Sequence, residues 1–544
     1  MLLPILLSSV VSAQETPPRV LHLGNSYTFF NDLQFRVADA LRASVPAMHD
    51  AEGERLTAGG LRLPDHVDRV ERGDAEWVDK LTGEPGRWTW MVLQDQSQIP
   101  GFPETERYWQ ESADAVSTLD GYAVDQGAET VLFMTWGRRD GDSTNPSMYP
   151  DFTTMNDRLD AGYRSYATRT SVDGRTIWVA PAGRAFAAVY NRILAEGGTP
   201  EDAGSDFHRL YDGDGSHPSA LGTALSASVF VRTFTGWPPA WDTTPPGVDA
   251  ADLDWMLDAA NAAVVPFDDL AYPWAVMVAD YSAPTDMDPG LGWVASGDQL
   301  CVTVGVDSAQ DDVEQVTLGA LHDATPGCGR VWMLDGGSWS AERVDAEAGA
   351  TGELVVAGGS FTLRSAASVP LVVAGGTLSL ADGTTGTTLD QSAGTVVVSV
   401  AGPPTFSDTV SLAGTLQVDG TLADSASLMA SASITVADDL AHNLPDDWAL
   451  EVRSEDGTDT LWAVAPDAGG DDAGGDGDGG GAVDEGTAGE TTSGGGDGGE
   501  DDPEDEASSS GTSPADKSGC AVTAGAMGGL TLALFAVWGR RRDT

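Results

Sequence analysis

Positive charge is scarce in this chain. Lysine occurs only at Lys80 and Lys517, and 28 basic residues face 84 acidic ones, a formal net charge of −56 over 544 residues. Phosphate backbones and anionic lipid headgroups are held by clusters of Lys and Arg, so nucleic acid and charged membrane surfaces are excluded as partners. Cysteine is scarcer still, with Cys301, Cys328 and Cys520 alone. Neither C-x-x-C nor H-E-x-x-H occurs, and His22, His49, His66 and His208 lack ligand spacing, so no metal and no cofactor is expected. The run Asp212-Gly213-Asp214-Gly215-Ser216 begins like a calcium loop, but His217 stands where that loop needs glycine.

Long apolar runs are confined to the two ends. Met1 to Ala13 closes on Val11-Ser12-Ala13, small residues that suit signal-peptidase cleavage with Gln14 as the new first residue; a buried first strand is the other reading. Ala521 to Gly539 is about long enough to cross a bilayer at about 1.5 Å per residue. Arg540, Arg541 and Arg542 follow at once and would stay in the cytoplasm, leaving the body of the protein outside. An exported chain permits a disulfide between Cys301 and Cys328, which share one β-rich segment; two reduced core cysteines are the alternative.

What the chain does contain is organised in blocks, as its length requires, since 544 residues exceed one core. Residues 19–265 alternate apolar strands (Val20–Leu23, Trp90–Gln94, Thr130–Thr135, Thr176–Ala180) with helical stretches (Asp32–Ser44, Glu104–Gln126, Thr154–Thr170, Pro218–Thr235). That rhythm predicts a three-layer α/β domain with a mainly parallel sheet, whose ligands bind at the carboxyl ends of the strands. Residues 266–345 read as a small β module, and 346–466 as a β-rich repeat region of short Val/Thr/Ser runs between Gly-containing turns. A β-solenoid and a β-sandwich both fit the latter, and the runs lean towards a short solenoid. Residues 467–518 collapse to Gly, Asp, Glu, Ser and Thr, a disordered, self-repelling linker.

Two segments far apart in the α/β block carry chemistry. Gly24-Asn25-Ser26-Tyr27-Thr28 places a serine just after a strand, and Asp214-Gly215-Ser216-His217-Pro218-Ser219 places an aspartate three residues before a histidine. Serine becomes a nucleophile when a histidine takes its proton, and an acid fixes that histidine's tautomer. The pair resembles the SGNH (GDSL-type) hydrolase superfamily over residues 19–240. The resemblance implies a flavodoxin-like three-layer fold and ester hydrolysis, with Ser26 as nucleophile, His217 as base and Asp214 as its orienting acid. It also implies an oxyanion hole made by the Ser26 N–H, by Gly60 in Thr57-Ala58-Gly59-Gly60-Leu61, and by a third-block asparagine. In that third block this chain departs from G-x-N-D, having Gln94-Asp95-Gln96-Ser97, so Gln96 takes the asparagine's place by register. Asn25 and Tyr27 also replace the family's Asp and Leu.

Trp136 and Arg138, after the 130–135 strand, are candidate substrate contacts, suited to a sugar ring or a carboxylate; a salt-linked surface loop is the plainer alternative. The expected substrate is a short acyl ester, with acylated polysaccharide as first choice. At the other end, Ser518-Gly519-Cys520, the apolar span and the arginine cluster resemble the MYXO-CTERM type of surface-sorting tail over residues 519–544. That resemblance implies processing at Cys520 by a sorting peptidase and attachment to the cell surface or outer envelope. The competing reading of the whole chain is a non-catalytic surface protein that binds glycans or mediates adhesion.

Overall fold

Five short strands build the sheet that positions the site: β1 (Arg19–Gly24), β2 (Glu52–Thr57), β3 (Trp90–Leu93), β4 (Glu129–Met134) and β5 (Trp178–Pro181). In the computed structural model, which describes residues 17–466 apart from 173–174, 280–293, 296–300, 320–326 and 423, they run in the order β2-β1-β3-β4-β5. Every pairing is parallel. β3 and β5 are buried at every residue, the continuous apolar pattern of strands covered on both faces. The segments 1–13, 467–518 and 519–544, with Cys520, lie outside the described residues. Among the described residues no helix is long and apolar enough to cross a membrane.

The helices are α1 (Ser26–Phe29), α2 (Leu33–Ser44), α3 (Leu63–Glu71), α4 (Ala75–Thr82), α5 (Arg107–Gln126), α6 (Phe152–Thr170), α7 (Ala182–Ala195), α8 (Asp206–Arg209), α9 (Ala220–Thr235) and α10 (Leu253–Ala263). One group packs α2, α7 and α10 around α9, and another joins α3, α5 and α6. α9 is buried from Leu221 to Thr235, which explains its apolar sequence on all sides. Its Phe234 stacks on Trp90 of β3 at 4.4 Å. All four strands and four helices expected from the sequence are present within a few residues.

β2 was not expected. Its sequence, Glu-Gly-Glu-Arg-Leu-Thr, carries charge because it is an edge strand, paired only to β1 and bound across it by Arg19 to Glu52 and Glu54. Gly53 is required there: a Cβ would stand 2.0 Å from the Gln34 carbonyl oxygen of α2.

Beyond residue 270 the chain coils into stacked parallel rungs. Leu354, Leu371, Leu389, Val410 and Ile434 stand in register on successive strands of one sheet. Phe361, Leu378, Val396 and Leu416 do so in a second. Within a rung buried and half-exposed residues alternate, as in Thr377–Leu380 and Thr395–Ser399, so each strand turns one face inward. This is the solenoid arrangement rather than the sandwich, closed by an antiparallel hairpin of Ala449–Glu455 and Thr458–Val464. The expected boundary at 345/346 is corrected. The strand Cys328–Met333 pairs residue for residue with Thr351–Val356, so residues on both sides share one sheet and one core. Cys301 and Cys328 stand opposite each other on adjacent strands, Cα atoms 4.5 Å apart, and form a disulfide.

Candidate active site

β1 ends at Gly24, and the chain turns at once into α1. A Cβ at Gly24 would stand 2.3 Å from Thr28 Oγ1 and 2.5 Å from Gln94 Oε1, so the turn needs glycine. Asn25 caps α1, accepting from the Tyr27 N–H at 3.1 Å. Its Nδ2 donates to the carbonyls of Leu61 and Asp95, at 2.9 and 3.3 Å. Gln94, fully buried beyond β3, accepts from the Asn25 N–H and from Thr28 Oγ1, each at 2.9 Å. Ser26 therefore rides on a turn tied to the loops after β2 and β3.

Into this turn projects His217. Its Nε2 lies 2.8 Å from Ser26 Oγ, and its Nδ1 lies 2.5 Å from Asp214 Oδ2. The other carboxylate oxygen, Oδ1, accepts from the N–H groups of Ser216 and His217, both at 2.9 Å. Partial burial raises the Asp214 pKa, but the hydrogen bond from His217 and the two backbone donors outweigh it and hold the carboxyl below its usual range. The aspartate stays ionised, which fixes the proton of His217 on Nδ1 and leaves Nε2 facing the serine hydroxyl. The loop is kept in shape by Asp212 N–H to the His217 carbonyl at 2.8 Å and by Arg139 N–H to the Gly215 carbonyl at 2.9 Å. Gly215 has φ +66, a left-handed conformation that suits glycine. An array of hydroxyl, imidazole and carboxylate at these distances can move a proton off serine and return it to a leaving group.

The other expected residues divide. Gly60 sits in an exposed turn at φ +70, with nothing within 4 Å of where a Cβ would point. Gln96 turns its amide towards its own loop: Oε1 accepts from the Gln98 N–H at 2.9 Å, and Nε2 is 3.4 Å from Gln98 Oε1. Trp136 is not a substrate contact, and that expectation is corrected. Its ring is fully buried, stacked on Phe186 at 4.3 Å and on Tyr27 at 5.2 Å. Its Nε1 donates to the Ser216 carbonyl at 3.2 Å, so it supports the histidine loop from behind. Arg138 pairs with buried Asp142 at 2.7 Å and lines, with Asp140, Ser143, Asp214 and Ser216, a polar cleft of about 270 Å³ beside the triad.

Sequence reasoning did not find the residues that join the two motif segments: Tyr27, Phe30 and Asn31. Tyr27 was visible as a departure from the family leucine; the other two carried no signal. His22 and His66 are buried. Among the described residues no group of three or more His, Cys, Asp or Glu could hold a metal ion.

Over the N-terminal part of the chain the structural neighbours are SGNH hydrolases and acetylxylan esterases. A proposed SGNH hydrolase from Slackia heliotrinireducens is 24% identical, with 40% of this chain and 99% of that one covered and a TM-score of 0.30. A DUF4886 family protein from Bacteroides uniformis is 16% identical, covering 46% and 95%, with a TM-score of 0.34. An acetylxylan esterase from Geobacillus stearothermophilus is 14% identical, covering 40% and 94%, with a TM-score of 0.28. No protein-family model matches the chain, and no curated protein matches it. The likeness is distant and concerns the fold of the first domain; the roles of residues rest on their own geometry.

Proposed function

We propose that the protein is a serine esterase. The observation that carries this reading is the unbroken line from Asp214 through His217 to Ser26 Oγ, at 2.5 and 2.8 Å. Ser26 Oγ attacks the ester carbonyl as His217 Nε2 takes its proton, and ionised Asp214 stabilises the resulting imidazolium. The Ser26 and Gly60 N–H groups donate to the developing oxyanion, with Gln96 Nε2, held only at 3.4 Å by Gln98, as the side-chain donor. The imidazolium returns its proton to the alcohol oxygen, which leaves. A water molecule, deprotonated by His217, then hydrolyses the acyl-enzyme and frees Ser26.

The proposed substrate is a short acyl ester on an extracellular polysaccharide. The polar cleft beside Asp214 suits a hydroxyl-rich alcohol, and export agrees with the Cys301–Cys328 disulfide and with the two apolar ends of the chain. Attachment to the cell surface through the 519–544 tail completes this reading.

Turnover of p-nitrophenyl acetate, followed by release of acetate from acetylated polysaccharide, tests it. Ser26→Ala is expected to lower kcat by about a thousandfold or more, while leaving the fold intact. A well-folded wild type that turns over neither ester, but binds glycan, would instead favour the surface-adhesion reading.

A further inference from the structure

The acid–base loop 212–217 is largely exposed, yet its histidine must stay within hydrogen-bond reach of Ser26. Asp214 cannot ensure this alone, because it belongs to the same loop and moves with it. The contacts that cross between the loop and the serine come from the residues just after Ser26. Tyr27 Oη and Ser216 Oγ share a hydrogen bond of 2.7 Å. Asn31 Nδ2 donates to the Pro218 carbonyl at 3.0 Å and to Thr223 Oγ1 at 3.0 Å. Ser216 and Pro218 are the two sequence neighbours of His217. Between these two ties the Phe30 ring lies on the imidazole itself, centroids 4.3 Å apart and planes 13° from parallel.

The backbone supports the same conclusion. Asn31 and Asp32 are consecutive non-glycine residues with positive φ, 51 and 54. Such a pair is held only where the surroundings fix it, and strain of this kind gathers at working sites. Here it turns the chain so that the Asn31 amide reaches Pro218, while Arg36 Nε secures the Asn31 carbonyl at 2.8 Å.

We propose that Tyr27 and Asn31 are positioning residues that grip the histidine loop on both sides of His217 and set the Ser26–His217 register, with Phe30 fixing the plane of the ring. This rests on the esterase reading and adds to it that the nucleophile segment carries its own clamp for the base. Near-attack geometry is sensitive to displacements of about 1 Å, which can cost about a hundredfold in rate. Loss of one tie therefore acts on kcat, with little effect on KM, because neither side chain is placed to touch substrate.

The test uses the full-length protein and p-nitrophenyl acetate. Tyr27→Phe keeps the ring stacked on Trp136 and removes only the hydroxyl; Ser216→Ala removes the same bond from the other side; Asn31→Gly suits the left-handed backbone and removes the side chain with its bonds to Pro218 and Thr223. Each is expected to lower kcat about tenfold, with KM within about twofold for Tyr27→Phe and Asn31→Gly; Ser216 lines the cleft, so only its kcat is read. The Tyr27 hydroxyl also meets Ser97 and Arg138, so Tyr27→Phe combined with Ser216→Ala should fall no further than Tyr27→Phe alone, whereas Tyr27→Phe with Asn31→Gly should fall about a hundredfold. Thermal midpoints of the two Tyr27–Ser216 variants should stay near that of the wild type. A kcat unchanged in all three single variants, in a wild type whose turnover Ser26→Ala removes, would overturn the clamp and leave the esterase reading standing. A loss confined to KM would also overturn it. Wild-type turnover that survives Ser26→Ala would overturn both, since there would be no serine register to set.

Discussion

His22 and His66 make the first domain's stability depend on pH, although both are buried. Burial pulls each pKa from the ordinary 6.5 down to about 4. His22 meets Phe230 edge-on, and His66 accepts the Trp77 indole N–H at 3.1 Å; backbone interactions with Glu54 and Gly24 offset only part of the cost of burial. Both are neutral when folded and gain protons first in the unfolded chain. Stability present above about pH 6.5 is therefore lost as the pH falls towards 4, by on the order of 3 kcal/mol for each histidine once below both values. Urea unfolding at pH 7.5 and pH 5 should show this fall, and His22→Phe should reduce it; an unchanged slope in that variant would contradict the assignment. At this scale the sequence was legible where chemistry is local. Ser26, Asp214 and His217 sit in two short segments, and the fold brings their side chains into one hydrogen-bonded line. Trp136 was misread because nothing in a sequence separates a tryptophan lining a cleft from one buried behind it. The role of Gln94 was hidden, since its partners Asn25 and Thr28 meet it through the fold.

At the scale of elements, the β–α alternation was legible because each strand is an apolar run ending in a polar loop. β2 escaped because an edge strand need not be apolar. α7 escaped because it follows β5 with no turn between them: Pro181 ends the strand and caps the helix. Close approaches of backbone to backbone were equally hidden. Gly162 of α6 packs on the turn Ile99–Gly101, and a Cβ there would stand 1.7 Å from the Pro100 carbonyl oxygen. Gly162→Ala must push helix and turn apart, at a cost of about 1–3 kcal/mol. A denaturation midpoint unchanged by this substitution would show that the contact is softer than the packing implies. Because the turn continues from Gln94–Ser97, a fall in turnover should accompany the fall in stability.

For the molecule as a whole, the joint between the first domain and the solenoid is buried and charged. Arg330 on a solenoid strand is almost fully buried, pairs with Glu353 at 2.6 Å, and donates to the Gly236 carbonyl that ends α9. Arg232 of α9 donates to the same carbonyl, and Arg330 lies over the Trp237 ring at 5.1 Å. A carbonyl at a helix C-terminus is a natural partner for cations. Removing Glu353 leaves a buried guanidinium without its counter-charge, so Glu353→Ala should cost about 3–5 kcal/mol. Scanning calorimetry should show that loss in a single transition that also carries the first domain; a transition that shifts only a separate solenoid peak would contradict a shared joint. The sequence reported each half but not this joint, because Arg232, Arg330 and Glu353 are far apart in the chain and look like ordinary surface charges until the fold buries them.

The central claim is that Ser26 becomes acylated. Rapid acid quench of the protein mixed with p-nitrophenyl acetate, followed by digestion and mass spectrometry, reads this directly. The account predicts an acetyl group on Ser26 in the wild type, its accumulation when water attack is slowed, and its absence in His217→Ala. An acetyl group found only on another residue, or turnover with Ser26 unmodified at every quench time, would contradict it.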